Sequence, residues 1–271
     1  MDRYAVIGNP IAHSLSPAIH ARFAAQSGER IEYAALLAPI GGFGAAARAF
    51  FEGGGCGANV TLPFKVDAFG IADVASDRAR IAGAANFLAR RDGRLEADNT
   101  DGAGLVTDLR ANLGVDLRGA RILLVGAGGA ARGVLGPLLA AGPASLVIAN
   151  RGVERALDLA ARFRGAAVVE ACALDAIPAR DFDLVINATS ASTKGEPLAL
   201  PETVWRARPL AYDMAYGANA EGFVAAARGR GVRATDGLGM LVEQAAESYL
   251  LWRGHRPATA EVIAALRAGR A

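Results

Sequence analysis

Ile122-Leu123-Leu124-Val125-Gly126-Ala127-Gly128-Gly129-Ala130-Ala131 is the stretch that decides the fold. Four apolar residues in succession predict a strand buried on both faces, as in a parallel sheet flanked by helices. Glycines follow at once and lead into a predicted helix. In that place they let the backbone turn tightly and approach a pyrophosphate, whose charge then rests on the helix N-terminus. A glycine-rich turn that binds nothing is the competing reading, and the strand before it and the helix after it weigh against it.

Downstream, strands are expected at 146–149, 167–169, 184–187, 211–214 and 232–234, with helical patterns between them. That rhythm is the one expected of a doubly wound parallel sheet. The end of its second strand selects the dinucleotide. An NAD site usually places a carboxylate there for the ribose 2′-hydroxyl, whereas this chain has Asn150-Arg151, with Arg155 one helical turn later. Guanidinium groups at that point favour the 2′-phosphate of NADP through bidentate, charge-assisted bonds. Arg155 also fits the role of a solvated surface residue.

Upstream the chain is α/β as well, with strands expected at 4–8, 31–37 and 57–61 and a helix at 45–51. Ser16-Pro17 is expected to open a helix with a capping hydroxyl and a proline in its first turn, and Gly28 to close it. Strands at 85–90 and 94–97 flank Asp92-Gly93, a tight-turn dipeptide, so this sheet should have an antiparallel part. A helix over 102–113 leads to the glycine-rich unit, and helices over 241–252 and 259–267 should return to the first. The expected organisation is a mixed-sheet substrate domain, 1–101 plus 238–271, and a Rossmann-type NADP domain, 102–237, with a ligand cleft between them. A length of 271 residues suits two domains.

Composition narrows the function. The net charge of +2 comes from 29 basic and 27 acidic residues with no block of either sign, which speaks against nucleic acid. The most apolar stretch is broken by Gly136, Pro137, Gly142 and Pro143, so no membrane span is expected. With no apolar signal segment after Met1, the reading is a soluble, cytoplasmic protein, monomeric or homodimeric. Two cysteines, Cys56 and Cys172, and three histidines, His13, His20 and His255, lack metal-ligand spacing, so no metal site is expected. Lysine is nearly absent: of the 29 basic residues only Lys65 and Lys194 are Lys. An amine can exchange a proton where a guanidinium stays charged, which directs attention to both.

Reducing a ketone with a nicotinamide needs a proton donor for the nascent alkoxide. No tyrosine is followed four residues later by lysine, which excludes the tyrosine-lysine pairing of short-chain dehydrogenases. What remains is Asn59-Val60-Thr61-Leu62-Pro63-Phe64-Lys65, expected to carry its lysine at the tip of a proline-stiffened turn, and the polar cluster Asp98-Asn99-Thr100-Asp101-Gly102. A carboxylate beside the ammonium would hold it and, with a substrate hydroxyl between them, relay one proton. Asp101 would equally serve as a helix N-cap, and the two roles are compatible.

These segments together resemble the shikimate dehydrogenase family over nearly the whole chain. The match runs in order through Ser14-Leu15-Ser16-Pro17, residues 59–65, Ala85-Asn86, residues 98–102, residues 126–130 and Asn150-Arg151. It continues through Asn187-Ala188-Thr189-Ser190, Tyr212-Asp213-Met214 and Gly237-Leu238-Gly239-Met240. The resemblance implies NADPH-dependent, reversible reduction of 3-dehydroshikimate to shikimate in the chorismate pathway, with Lys65 and Asp101 as the catalytic pair. It further implies that the hydroxyls of Ser14 and Ser16 bind the substrate carboxylate, although both also suit helix capping. Thr61, Asn86, Tyr216 and Gln244 would bind ring hydroxyls, with Asn59 supporting the site. NADP would lie on Gly126, Ala127, Gly128, Gly129, Ala130, Asn150, Arg151 and Arg155, with Thr189, Met214, Gly237 and Met240 near the nicotinamide. The chain departs from the family pattern at Gly152, usually threonine, and at Ala97, usually glycine; residues 191–194 lack the usual glycine-methionine, and the stretch after Tyr216 lacks threonine-proline. Two rivals stand beside this reading: a quinate/shikimate dehydrogenase using NAD or NADP, and a dinucleotide-binding sensor without turnover.

Overall fold

The structure, a computed structural model, describes residues 1–163 and 169–269. The chain divides into two units, Met1–Gly104 with Leu241–Ala271, and Leu105–Met240.

In chain order the first unit contains β1 (Asp2–Gly8), α1 (Ser16–Ser27), β2 (Ile31–Leu37), α2 (Phe43–Glu52), β3 (Gly55–Val60), α3 (Lys65–Gly70), β4 (Val74–Ala75), α4 (Asp77–Ala82), β5 (Phe87–Arg91) and β6 (Arg94–Asp98). Its six-stranded sheet runs β2-β1-β3-β5-β6-β4. Pairing is parallel among β2, β1 and β3 and antiparallel from β3 through β5 to β6, so the sheet is mixed as expected. Asp92 (φ 50°) and Gly93 (φ 77°) both adopt positive φ between paired Arg91 and Arg94, the two-residue turn that matches strand twist. Gly28, at φ 70°, ends α1 as anticipated.

Helix α5 (Asp101–Thr107) continues as a π-helical turn, Asp108–Asn112, and leads to β7 (Arg121–Val125), α6 (Gly129–Ala140), β8 (Ser145–Asn150), α7 (Val153–Ala161), β9 (Val169–Ala173), β10 (Leu184–Asn187), β11 (Leu210–Asp213), α8 (Glu221–Arg228) and β12 (Ala234–Thr235). The second sheet is ordered β12-β11-β10-β7-β8-β9 and is parallel throughout, so its order reverses between β7 and β10. Ligands of such sheets bind at the carboxyl ends of the strands at that reversal. Both faces are covered. Val134, Leu135, Leu138, Ala156 and Leu159 pack on one face of the sheet and Phe182, Trp205 and Phe223 on the other, which explains the unbroken apolar runs Ile122–Val125, Leu146–Ala149 and Leu184–Ile186. Among the described residues no helix is long and apolar enough to cross a membrane.

The chain ends with α9 (Leu238–Arg253) and α10 (Ala260–Arg267). From Leu241 onward this segment belongs to the first unit. A β-carbon at Gly57 in β3 would lie 2.2 Å from Trp252 Nε1, so the bare backbone there is what admits the indole, whose N–H donates to Leu88 O at 3.1 Å.

Several expectations require correction. Ser16 makes no capping bond: the N-cap position is Leu15, and it is Ser14 Oγ that accepts the Ser16 N–H at 3.3 Å. Lys65 does not sit at the tip of a turn but opens α3, which together with β4 and α4 was not anticipated because these elements are only two to six residues long. Of the strand expected at 167–169, residues 167 and 168 lie outside the described residues, and β9 extends from Val169 to Ala173.

His20 is fully buried in the first unit, stacked on Tyr33 at 4.1 Å and 8°, with Phe23, Tyr249 and Trp252 around it. Neither ring nitrogen has a hydrogen-bond partner, and burial pushes its pKa down to about 3. Below the ordinary value near 6.5 the unfolded chain takes up a proton that the folded chain refuses. Stability therefore falls as pH drops, by about 2 kcal/mol between pH 7 and pH 5. His20→Phe should remove that part of the loss; urea unfolding of both proteins at the two pH values measures it, and equal losses would contradict it.

Candidate active site

The first unit gathers its polar side chains where β3, β5 and the starts of α3 and α5 meet α9. Asn86 precedes β5, and its backbone joins two neighbouring strand ends, accepting from Val60 N at 2.8 Å and donating to Asp98 O at 3.2 Å. Its side chain is 2% exposed. Asn86 Nδ2 donates to Thr100 Oγ1 (2.9 Å), Asp101 Oδ1 (2.9 Å) and Gln244 Oε1 (3.1 Å), while Asn86 Oδ1 accepts from Thr100 N at 2.7 Å. The other carboxylate oxygen of Asp101 accepts from Lys65 Nζ at 2.5 Å, with the two side chains 5% and 15% exposed. The carboxylate thus faces Lys65 and Asn86, and Asn99 Oδ1 accepts the Asp101 N–H in turn. Helix α9 reaches this cluster because residue 104 is glycine: a β-carbon there would lie 2.7 Å from the Gln244 backbone nitrogen.

Asn59 supports the cluster from beneath. Its amide donates to Ser248 Oγ (2.9 Å) and Asn86 O (3.3 Å) and accepts from Tyr33 at 2.7 Å, leaving no spare N–H for a ligand. Sequence reasoning missed Tyr33 and Ser248 as members. Ser248 was findable, because it lies four residues after Gln244 on one face of a predicted helix. Asp98 belongs to a structural bridge: Arg78 holds its carboxylate at 2.6 and 3.0 Å, Ser76 donates to it, and Arg78 also meets Glu247 at 2.9 Å. Burial alone would raise the Asp98 pKa, but these donors bring it below the usual carboxylate range. Ser14 and Thr61 are half-buried, and Ser16 is buried and hydrogen-bonds Tyr33. Tyr216 lies in the second unit, as does Lys194, which is exposed.

In the second unit Gly126 has φ 114°, and a β-carbon there would lie 2.9 Å from the Ala188 carbonyl carbon. Only glycine satisfies both constraints. Ala127 is buried in the core, and Gly128 is the N-cap of α6, exposed, with nothing within 4 Å of its β-position. Gly129 and Ala130 form the helix's first turn. A backbone that is open at a helix N-terminus fits an approaching pyrophosphate. Asn150 ends β8 and donates to Gly152 O at 2.8 Å, which closes the turn into α7. Arg151 is 84% exposed and only loosely paired with Glu196 at 3.5 Å, and Arg155 is exposed on α7. Exposed guanidinium groups just after the second strand's end fit a phosphate.

Thr189 is fixed to Asn187 Oδ1 through its N–H (3.0 Å) and Oγ1 (2.7 Å), one residue beyond the Ala188 backbone that abuts Gly126. Met214 follows β11, and a β-carbon at Gly237 would lie 2.6 Å from its carbonyl oxygen. Met240 differs from these in being packed within the core against which Leu105, Leu109 and Tyr212 also pack. Among the described residues no group of three or more His, Cys, Asp or Glu could hold a metal ion.

A parallel sheet with a glycine turn at its order reversal in the second unit, and a buried ammonium-carboxylate pair in the first, define a two-domain, nucleotide-linked dehydrogenase. Family models agree along the chain: a shikimate dehydrogenase substrate binding domain matches residues 6–88, shikimate / quinate 5-dehydrogenase 108–213, and a shikimate 5'-dehydrogenase C-terminal domain 237–267. The shikimate dehydrogenase (NADP(+)) of Aromatoleum aromaticum is 56% identical over 271 residues, covering 98% of this chain and 97% of its own. Among solved structures, an Ael1 enzyme from Pseudomonas putida superposes with a TM-score of 0.91 at 47% identity, covering 98% of both chains. The shikimate 5-dehydrogenase of Thermus thermophilus, in complex with NADP(H) and shikimate, gives 0.83 at 32% identity over 99% of both. The chain belongs to the shikimate dehydrogenase family.

Truncating Asn86 strands the acceptors and donors it serves. Asn86→Ala should lower unfolding stability by about 2–4 kcal/mol, measured by urea denaturation, and a loss under 1 kcal/mol would show that the amide is not the hub described.

Proposed function

We propose that the protein catalyses the NADPH-dependent, reversible reduction of 3-dehydroshikimate to shikimate. The observation that carries the reading is the contact between Lys65 and Asp101, buried together and held by Asn86, in a chain more than half identical to an NADP-dependent shikimate dehydrogenase. In this proposal the first unit binds substrate and the second binds the cofactor. NADPH supplies a hydride when bound. Lys65 hands a proton to the oxygen that becomes a hydroxyl, and Asp101 orients the ammonium and accepts the neighbouring substrate hydroxyl. The hydroxyls of Ser14 and Ser16 bind the substrate carboxylate. Thr61, Asn86, Gln244 and Tyr216 bind its ring hydroxyls, with Asn59 as their support. The second unit holds the pyrophosphate on residues 126–130 and the 2′-phosphate on Asn150, Arg151 and Arg155, while Thr189, Met214, Gly237 and Met240 shape the nicotinamide end.

Spectrophotometric assay of the purified protein with shikimate and NADP tests the reading directly. Quinate belongs in the same assay, because one matching family model spans shikimate and quinate enzymes. Lys65→Ala should cut turnover about 100- to 10,000-fold with substrate affinity retained; undiminished turnover would remove the lysine from the chemistry. Arg151→Ala should raise the Michaelis constant for NADPH far more than that for NADH, and equal increases would defeat the assignment of the 2′-phosphate.

A further inference from the structure

The loop after β10 has a serine hydroxyl, that of Ser192, built into its base. Asn187 and Asp213 are the last residues of β10 and β11 and lie opposite each other in register. Both are fully buried. Asn187 Nδ2 donates to Ser192 Oγ (2.9 Å) and to Asp213 Oδ2 (3.0 Å), and Ser192 Oγ donates to the same carboxylate oxygen at 2.6 Å. Asp213 Oδ1 accepts the Ala215 N–H at 2.8 Å. On its other side the Asn187 amide oxygen takes both the N–H and the hydroxyl of Thr189. One amide therefore fastens the loop at Thr189 and again at Ser192, and the carboxylate it shares with Ser192 fastens Ala215, next to Met214.

We propose that Ser192 is a positioning residue for nicotinamide binding, fixing the span from Thr189 to Ser192 in its receptive shape through Asp213. The inference rests on the reading that Thr189 and Met214 border the nicotinamide end of NADPH. A hydroxyl bonded to a buried carboxylate is worth roughly a tenfold change in an equilibrium when removed.

Direct NADPH binding by the full chain, followed by nucleotide fluorescence, tests this together with steady-state kinetics. Ser192→Ala should weaken NADPH binding and raise its Michaelis constant about tenfold, while the Michaelis constant for shikimate stays within about twofold, a split that general loss of structure would not produce. Asp213→Asn should weaken NADPH binding as well, and adding Ser192→Ala to it should cause little further loss, because both act through one contact. NADPH bound by Ser192→Ala as tightly as by the parent, or losses that simply multiply in the double variant, would overturn the inference alone. Failure of the parent protein to bind NADPH would overturn the underlying reading, and the inference with it.

Discussion

One primary amide, that of Asn86, organises the first unit's site. Its two N–H groups serve three acceptors, so one hydrogen is shared, and its oxygen takes a backbone N–H. A buried ammonium-carboxylate pair left to itself would lose more by desolvation than its attraction returns unless further hydrogen bonds complete it. Asn86 supplies that completion to Asp101, and Lys65 is held against the other oxygen as a result. The rest of the arrangement serves this contact: Gly104 admits α9, α9 brings Gln244 and Ser248, and Asn59 joins Ser248 to the Asn86 backbone.

The second unit repeats the device with different partners. Asn187 uses both amide hydrogens and its oxygen on Ser192, Asp213 and Thr189, again at a strand end. Burial raises the Asp213 pKa, while Ser192, Ala215 and Asn187 act in the opposite direction. In both units an asparagine is suited to the task because a carboxamide donates and accepts from one rigid plane. A carboxylate would offer no donor.

Much of this was legible in the sequence where one local rule governs. The strands 31–37 and 184–187 have the bounds expected of them, and Asp92-Gly93 and Gly28 take the backbone conformations their chemistry favours. Short elements were not legible: α3, β4 and α4 owe their existence to neighbours distant in sequence, and six residues carry too little periodicity to announce a helix. Within the site, Lys65 stood out because lysine is so rare, and Asp101 because it lies in a polar cluster. Tyr33 gave no such sign, since its bond to Asn59 spans 26 residues and depends on the pairing of β1 with β2 and β3. Ser16 misled, because a serine before proline is as good a cap by sequence as it is a buried hydroxyl in the structure.

Each sheet ends on one side in a strand of only two residues, β4 in the first and β12 in the second. So short an edge presents too few unpaired backbone groups to recruit a strand from another molecule. Intermolecular β-pairing is thereby directed to the opposite margins, β2 and β9, which are seven and five residues long.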